Sequence, residues 1–326
     1  MAEPYAIQTK NLSKSFKGKP AVDGLSLDIE DGEIFGLVGP DGSGKTTTIR
    51  LLAAIMDPSS GEASTAGFDT VRQPEQIKRC IGYMAQRFNL YRDLTVLENL
   101  NFYADVFDVI GQQRERRIDR LLQFARLTEF EDRRAAHLSG GMQKKLALAC
   151  TLIHKPRIIF LDEPTTGVDP VSRREFWDIL STLHMEGITL VISTPYMDEA
   201  ERCSRVGLLH LGRLLLCDTP EQIKQKVAGE LVAIWPSDLH RARELLANLE
   251  TVIQVQTYGQ QLRLITTDSA RTAADARAVL EENDIQIEDM HRTQPRMEEA
   301  YISLIGQANA IGKANKIGQA SKEPPR

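Results

Sequence analysis

Residues 34–52 read IFGLVGPDGSGKTTTIRLL and decide the fold of this chain. An apolar, strand-like run leads into a loop that opens a helix, and the loop residues are Gly39, Pro40, Asp41, Gly42, Ser43, Gly44, Lys45, Thr46 and Thr47. The glycines let several backbone N–H groups curl around one anion, at the positive end of the following helix. Lys45 then reaches the β- and γ-phosphates, and the Thr46 hydroxyl can hold Mg²⁺. The loop predicts a nucleoside triphosphate site, and the alternative is a glycine-rich turn in another doubly wound fold.

Length and composition limit the remaining possibilities. A chain of 326 residues is too long for one typical domain, so two are expected. The net charge of −5 does not indicate bulk affinity for nucleic acid, and no nucleic-acid partner is expected. The cysteines lack metal-ligand spacing, which predicts a reduced, cytosolic chain. No signal pattern opens the sequence and no apolar run approaches the about 20 residues that span a bilayer, so a membrane role requires another chain.

Between about residues 88 and 155 the pattern becomes helical. Ile81–Ala85 is predicted as a strand that ends at Gln86, and apolar residues recur at three- and four-residue spacing from Thr95 onward. Thr95 and Glu98 together predict a capping box. We therefore expect a helical subdomain inserted between two strands.

A second glycine motif lies inside this insert. The segment Leu138-Ser139-Gly140-Gly141-Met142-Gln143 leads into a helix. Ser-Gly-Gly at a helix start offers a hydroxyl and free N–H groups to an anion. An ordinary helix cap is the alternative for this motif.

Two acids follow the next apolar strand. Ile158–Leu161 suits a parallel strand that is buried on both faces, and it delivers Asp162 and Glu163 to the sheet edge where open α/β sheets bind ligands. Burying two unpaired acids is costly, so a metal ion and an attacking water are natural partners. A helix-capping pair is the alternative.

The C-terminal part carries no phosphate or acid motif. From Glu230 the predicted order is β-α-β-β-α-β, which is the ferredoxin-like split pattern. We expect a nucleotide-binding domain over residues 1–228 and an α+β accessory domain over 229–305, ending in a helix at Glu298–Ile305. The Gly-, Ala-, Lys- and Pro-containing end, 306–326, predicts a disordered tail.

The motifs together carry a family resemblance. The phosphate loop, Gln86, LSGGM, IIFLDEP and GVDP occur in the order and spacing of an ATP-binding cassette. Over about Tyr5–Val227 the chain therefore resembles the nucleotide-binding subunit of an ABC transporter. LSGGMQKKL, DEPTTGVDP, YMDEAERC and PRMEEAYISLIG make it similar to the drug- and antibiotic-export branch. The resemblance implies an α/β P-loop ATPase sheet with a helical subdomain insert, to which the small ferredoxin-like domain is added.

The resemblance also implies ligands and partners. ATP and Mg²⁺ are the expected cofactors, and a membrane permease and a second cassette, either a homodimer mate or a sister chain, are the expected partners. The expected location is peripheral, on the cytoplasmic face of the inner membrane. Phe88, Leu90 and Tyr91, which follow Gln86, are candidates for the permease groove, and ordinary packing is the alternative for them.

Individual roles follow from the same resemblance. Phe16 would stack on adenine, although an aromatic taken alone is more often a packing residue. Glu163 would orient or deprotonate the attacking water, and Gln86 would sense metal and γ-phosphate. The implied metal ligands are Thr46, Gln86 and Asp162. The residues implied to close over the γ-phosphate of a partner cassette are Ser139, Gly140 and Gly141, with Asp169 at the dimer seam.

Three positions depart from the family pattern. Asp41 replaces the usual Asn, Met142 replaces Gln, and Pro195 replaces the His that donates a hydrogen bond to the γ-phosphate. Proline has neither a side-chain donor nor an N–H, so the chain is predicted to bind ATP and hydrolyse it slowly. The first cassette of two-cassette subunits in this branch often lacks the same His.

Two other functions remain open from the sequence. One is an ATP-binding regulatory partner with little turnover in an asymmetric cassette pair. The other is a soluble, non-transport ABC protein that acts on ribosomes or DNA. Relatives of that second kind usually hold two cassettes or a long coiled-coil insert, neither of which occurs in these 326 residues.

Overall fold

The computed structural model describes residues 5–87, 90–227 and 229–306. The chain divides into two compact units, Met1–Pro220 and Glu221–Arg326. This boundary falls ahead of the one predicted at residue 228. Phe88, the residues after Gly306 and therefore nearly all of the predicted disordered tail lie outside the described residues.

The first unit is built from two sheets. Its strands are β1 (Tyr5–Phe16), β2 (Lys19–Glu30), β3 (Ile34–Val38), β4 (Ser60–Thr65), β5 (Phe68–Asp69), β6 (Ile81–Met84), β7 (Ile158–Asp162), β8 (Thr189–Thr194), β9 (Arg205–His210) and β10 (Arg213–Asp218). One sheet is antiparallel, with the order β2-β1-β4-β5, and the other has the order β10-β9-β3-β8-β7-β6. In the second sheet, β9, β3, β8, β7 and β6 run parallel, and β10 pairs antiparallel with β9.

The helices of the first unit connect these strands. They are α1 (Lys45–Leu52), α2 (Pro74–Cys80), α3 (Val96–Val106), α4 (Gly111–Phe124), α5 (Gly140–Leu152), α6 (Pro170–Met185) and α7 (Met197–Ala200), and α8 (Pro220–Gln225) follows. Two single 3₁₀ turns, Thr128–Phe130 and Ala135–His137, lie between α4 and α5. Among the described residues, none of the helices has the length and apolar character needed to cross a bilayer.

The main core lies between the two sheets. Ile7 and Leu25 from the antiparallel sheet, Phe35 and Phe160 from the parallel sheet, and Ile49 from α1 are all fully or almost fully buried there. Burying large aliphatic and aromatic side chains in this way supplies about 1.5–3 kcal/mol each. This packing fixes α1, and with it the loop before α1, against the end of β3.

The helical insert has the predicted capping box. The Thr95 N–H donates to Glu98 Oε2 at 2.7 Å, and the Glu98 N–H donates to Thr95 Oγ1 at 3.1 Å. These reciprocal bonds satisfy two N–H groups that a helix start leaves without partners. The helices α3, α4 and α5 pack together, between β6 and β7 in chain order.

The second unit has the predicted ferredoxin-like order. Its elements are β11 (Glu230–Pro236), α9 (Leu239–Leu246), β12 (Val252–Tyr258), β13 (Gln261–Thr266), α10 (Ser269–Glu282) and β14 (Ile287–Thr293), followed by a helix over 297–306. The strands form an antiparallel sheet with the order β12-β13-β11-β14. The sheet, α9 and α10 enclose a separate apolar core that contains Val232, Ile234 and Leu264. Together, the two units confirm the predicted fold class.

Candidate functional site

Three neighbouring parallel strands end at one edge of the larger sheet. The strand β3 is followed by Gly39, β7 ends at Asp162, and β8 ends at Thr194. Asp162 lies directly opposite Ser193 in the parallel register of β7 and β8. This edge is where open α/β sheets bind their ligands, because loops and helix starts converge there.

The phosphate loop needs glycine at positions that no other residue can occupy. Gly44 has φ +107°, and a Cβ there would lie 2.4 Å from the Ala21 carbonyl oxygen. A Cβ on Gly39 would lie 2.3 Å from the Leu209 carbonyl oxygen. The loop therefore keeps its backbone N–H groups close to the start of α1, where an anion is favoured.

Lys45 is a buried cation at the centre of this loop. It is 3% exposed, and its Nζ donates to the carbonyl oxygens of Gly39 at 2.9 Å and Pro40 at 3.1 Å. Glu163 Oε1 lies 3.4 Å from the same Nζ. The Asp41 side chain is 92% exposed, although its Oδ1 lies 4.0 Å from Nζ. The substituted acid in the loop thus faces solvent, and water screens its charge.

Asp162 has one satisfied oxygen and one free oxygen. Its Oδ1 accepts from Thr46 Oγ1 at 3.0 Å and from Ser193 Oγ at 2.6 Å. Its Oδ2 is buried and has no hydrogen-bond partner within the described parts of the chain. A buried carboxylate oxygen without a partner is costly, so this atom suits a cation.

This donor set fits Mg²⁺ together with phosphate. The described residues contain no group of three or more His, Cys, Asp or Glu that could hold a metal ion without other ligands. Mg²⁺ commonly takes one or two protein oxygens and completes its shell with water and substrate phosphates. Thr46 Oγ1 and Asp162 Oδ2 can supply those protein oxygens.

Glu163 is held in a constrained conformation beside Gln86. Gln86 Nε2 donates to Glu163 Oε2 at 2.8 Å. The Glu163 N–H donates to the Ser193 carbonyl oxygen at 3.1 Å and to Ser193 Oγ at 3.0 Å, and the residue has a φ of +49°. A positive φ in a residue other than glycine is strained and persists only where the surroundings enforce it. The bonds to Ser193 hold the Glu163 backbone in place, and the bond from Gln86 orients its carboxylate.

The segment around Pro195 is anchored by a buried acid. Glu199 is 1% exposed, and its carboxylate accepts from Thr194 Oγ1 at 2.6 Å and from Arg173 Nε at 2.6 Å. The Arg173 guanidinium also lies 4.6 Å from the centre of the Tyr196 ring. Pro195 itself is half-buried. These contacts fix the segment, yet Pro195 offers no side-chain donor.

The remaining predicted residues lie in other elements. Phe16 ends β1 and is 46% exposed. Ser139 caps α5, its hydroxyl accepts from the Met142 N–H at 3.3 Å, and it is exposed, as is Gly140. Gly141 is buried, and it packs so closely that a Cβ there would lie 2.6 Å from the side chain of Ser172. At this corner, Ser139 and Gly140 are therefore open to solvent, whereas Gly141 packs against α6.

Asp169 begins α6 as a helix cap. Its Oδ1 accepts from the Ser172 N–H at 2.9 Å and from the Val171 N–H at 3.1 Å. Bonds from these N–H groups, that of Ser172 above all, lower the pKa of the carboxyl below its usual range. The residue predicted at a dimer seam thus stays ionised at the start of α6.

Sequence reasoning did not assign roles to Ser193 and Glu199. Ser193 could have been found from its place at the carboxyl end of an apolar strand, beside the strand that carries Asp162. Glu199 has no comparable signal, because its partners Thr194 and Arg173 lie on separate elements and the spacing of these residues shows no period.

The fold and the site define a P-loop ATPase with an inserted helical subdomain. The family described as ABC transporter matches residues 22–166. A solved "Structure of ATP binding subunit of ABC transporter" aligns with a TM-score of 0.62 at 28% identity, over 68% of this chain and 92% of that one. A dimeric, post-hydrolysis ATP-binding cassette bound to ADP and phosphate aligns with a TM-score of 0.60 at 28% identity, over 65% and 98% of the two chains.

Curated relatives cover nearly the whole chain. It is 43% identical over 93% of its length to the "Probable multidrug ABC transporter ATP-binding protein YbhF" of Escherichia coli, and it spans 52% of that protein. It is 31% identical to the daunorubicin resistance ATP-binding protein DrrA2 of Streptomyces coeruleorubidus, over 93% of this chain and 95% of the relative. The chain therefore belongs to the ATP-binding proteins of ABC transporters, a family of ABC-type ATPases.

Proposed function

We propose that this chain binds and hydrolyses ATP to energise export of a substrate through a separate membrane permease. The observation that carries the proposal is the cluster of Lys45, Asp162 and Glu163 at the carboxyl edge of the sheet. Lys45 Nζ lies 3.4 Å from Glu163 Oε1, and Asp162 accepts a hydrogen bond from Thr46, the residue after Lys45. A buried cation, an acid with a free oxygen and a second, constrained acid are the groups that phosphoryl transfer requires.

The loop and its lysine would bind the triphosphate. Backbone N–H groups around Gly42 and Gly44 and the start of α1 offer donors to the phosphates, and Lys45 offers a buried charge. Phosphate oxygens would replace the Gly39 and Pro40 carbonyls that this ammonium now contacts. The loop residues from Gly39 to Thr47 are thus proposed as the nucleotide site, with Phe16 against the base.

Thr46, Gln86 and Asp162 are the proposed ligands of Mg²⁺. When bound, Mg²⁺ supplies positive charge that offsets the charge of the phosphate oxygens. The partnerless Asp162 Oδ2 supports this assignment. Ser193, which donates to Asp162 Oδ1, would keep the carboxylate oriented.

Glu163 is proposed as the group that orients or deprotonates the attacking water. Its two oxygens contact Lys45 and Gln86, so its position depends on the phosphate loop and on the end of β6 at once. Proton transfer by a positioned carboxylate is worth about 10²–10⁴-fold in rate. The role requires a carboxylate, and an amide of the same shape cannot accept the proton.

A second cassette would complete the site. Ser139 and Gly140 are exposed at the start of α5, and a Cβ on Gly140 would meet no atom within 4 Å. This corner can therefore accept an anion from another chain without rearrangement. ATP held between two such surfaces would stabilise the pair, and hydrolysis would release it.

We further propose that this chain turns over slowly at its own loop because Pro195 lacks a donor. The test is ATP hydrolysis by the purified chain, measured for the natural sequence, Pro195→His and Glu163→Gln. Restoring one preorganised donor should raise the rate by at least about tenfold. Glu163→Gln should bind ATP and hydrolyse almost none.

Two outcomes would contradict these assignments. Rapid turnover of the natural sequence that Pro195→His does not change would remove the slow-site proposal. Hydrolysis by Glu163→Gln at the natural rate would remove the proposed role of Glu163.

Pro195 also favours a second candidate function, an ATP-binding regulatory partner in an asymmetric cassette pair. In that case the natural chain and Pro195→His would both bind ATP tightly and neither would turn over. Mixing with a sister cassette that keeps the His would then restore hydrolysis, and ATP binding to this chain would still be required.

The proposed location is the cytoplasmic face of the inner membrane, beneath the permease. Tyr91, close in sequence to Gln86, is 47% exposed. Its ring centre lies 4.4 Å from that of Phe102, which is 36% exposed, and the two rings are tilted by 58°. Exposed aromatic pairs of this kind are enriched in protein interfaces. Membrane fractionation of cells that contain the complete transporter tests the location, with Tyr91→Ser expected to release part of the chain into the soluble fraction.

A further inference from the structure

A buried lysine links the helix of the exposed glycine corner to the loop of the catalytic acid. Lys144 is 7% exposed, and its Nζ donates to the Thr166 carbonyl oxygen at 2.6 Å. Lys144 lies one helical turn after Gly140 on α5, on the same face of the helix. A shift of this helix would therefore pull on the Thr166 backbone through this hydrogen bond.

Thr166 in turn contacts Glu163. Its N–H donates to the Glu163 carbonyl oxygen at 3.3 Å, and its hydroxyl lies 3.4 Å from Glu163 Oε2. The adjacent Thr165 hydroxyl donates to Glu199, which also holds Thr194. The short turn after β7 is thus connected on one side to α5 and on the other to the segment around Pro195.

Burying the ammonium group of a lysine costs free energy, because the group loses its hydration. Burial lowers the pKa of Lys144 to about 8, although the carboxylates of Glu199 and Glu163 act in the opposite direction. Arg173, on α6, neutralises part of the Glu199 charge. Lysines are rarely buried unless a specific interaction offsets the loss of hydration. For Lys144, that interaction is its hydrogen bond to the Thr166 carbonyl oxygen, beside the proposed active site.

We propose that Lys144 is a positioning residue for hydrolysis, which transmits the state of the Ser139–Gly141 corner to Glu163 of the same chain. The inference rests on the proposed function, in which the corner binds the γ-phosphate held by a second cassette. Engagement of the corner would then set the position of the turn that carries Thr166. Each chain's own acid would respond to nucleotide at the opposite site.

The neighbouring residue provides a matched control. Lys145 has the same exposure, 7%, and sits on the same helix, but it pairs with Glu175 on α6. Lys144→Met and Lys145→Met each remove one buried charge from α5. Only the first removes the contact with the Thr166 carbonyl, and Lys144→Arg keeps the charge.

The first measurement is single-turnover hydrolysis of MgATP by the purified full chain at excess protein, which also resolves slow rates. Lys144→Met should lower the hydrolysis rate about tenfold and leave the Kd for ATP within about twofold. Lys144→Arg should retain most of the rate, and Lys145→Met should stay within about twofold of the natural chain. A natural rate in Lys144→Met, or an equal loss in Lys145→Met, would overturn the proposal.

The pH profile distinguishes positioning by a charge from mere packing. Lys144 is protonated below its pKa of about 8 and loses its charge above it, which weakens its hydrogen bond. The natural rate should therefore fall as pH rises through about 8. Lys144→Arg should lack this fall, because arginine stays charged. The same fall in both proteins would count against the proposal.

A measurement without turnover separates this proposal from the proposed function. Amide hydrogen exchange of the peptide over 164–169 should be faster by about tenfold in Lys144→Met and unchanged in Lys145→Met. If the natural chain hydrolyses no ATP, the proposed hydrolytic function fails, while exchange still decides whether Lys144 holds the turn. Equal exchange in the natural chain and in Lys144→Met overturns the proposal for Lys144 alone.

Discussion

The side-chain amide of Gln86 donates a 2.8 Å hydrogen bond to Oε2 of Glu163. Gln86 follows β6 and Glu163 follows β7, so the bond joins the entrance of the helical insert to the proposed catalytic acid. Movement of the insert would therefore change the position of Glu163.

Gln86→Glu should slow hydrolysis more than Gln86→Ala does. The alanine variant loses a hydrogen bond to a charged group, worth about 1.5–3 kcal/mol, so kcat should fall about tenfold or more. The glutamate variant adds repulsion between two carboxylates at the same place. Steady-state kinetics at saturating MgATP measure kcat for both variants. Equal kcat in all three proteins would contradict the orienting role.

The two glycines at the start of α5 should respond differently to alanine. A Cβ on Gly141 would lie 2.6 Å from the Ser172 side chain, whereas a Cβ on Gly140 meets nothing within 4 Å. Gly141→Ala should lower the free energy of unfolding by about 1–3 kcal/mol through overpacking. Chemical denaturation measures this effect.

The matched variant Gly140→Ala should not lower stability by more than about 0.5 kcal/mol. It should still slow ATP hydrolysis, because the added methyl group would obstruct an anion at the exposed corner. Full activity of Gly140→Ala in the paired cassettes would contradict the proposed use of this corner.

His154 should make the first unit sensitive to acid. Its Nε2 lies 2.9 Å from the Ile81 carbonyl oxygen, its ring stacks on Phe107 at 3.8 Å, and its buried Nδ1 has no partner in the described residues. Burial, together with the positive charge of Arg117, lowers the pKa of the imidazole. Protonation would place an N–H on Nδ1 without an acceptor.

Because folding lowers the pKa of His154, acid destabilises the folded chain. The unfolded chain binds the proton at about pH 6.5 and the folded chain only at lower pH, so stability is lost as pH falls below about 6.5. His154→Gln keeps a donor and cannot titrate. The natural protein should therefore lose more stability than His154→Gln between about pH 7.5 and about pH 5.5 in urea unfolding. Parallel losses in the two proteins would contradict the assignment.

In the second unit, Glu299 should contribute far more to stability than its neighbour. Glu299 is 2% exposed and forms an ion pair with Arg263, which is 4% exposed and also donates to the Gln294 carbonyl oxygen at 2.9 Å. Glu299→Ala would leave a buried charge unpaired, at a cost of about 3–5 kcal/mol. Glu298→Ala, at an exposed position, should cost less than about 0.5 kcal/mol.

Fluorescence of Trp235, on β11, measures this difference. Urea unfolding in a Trp177→Phe background reports only the second unit, since the chain has two tryptophans. Equal midpoints for Glu298→Ala and Glu299→Ala would show that the buried ion pair does not stabilise the unit.

The motifs and the fold class were predictable because their signals are local. A glycine loop, an acid pair after an apolar strand and a capping box each occupy a few consecutive residues, so their chemistry can be recognised without tertiary information. The strand β4 was missed, because SGEAST has no apolar alternation and only Ala63 and Thr65 are buried. Its pairing with β1, a tertiary contact, makes it a strand.

The buried polar contacts around the site were not predictable for a related reason. Glu199 meets Arg173 and Thr194 from different elements, and Lys144 meets a backbone carbonyl. Neither type of contact leaves a periodic pattern in the sequence. The helix α2 was also missed, since it is short and buries only Ile77.

Equilibrium binding of MgATP to the purified chain tests most directly whether Lys45 holds the phosphates of ATP. The natural chain and Glu163→Gln should bind with similar Kd, and Lys45→Ala should bind at least about tenfold more weakly, because a charged hydrogen-bonding group is worth about 1.5–3 kcal/mol. Binding by Lys45→Ala with the Kd of the natural chain would contradict the account.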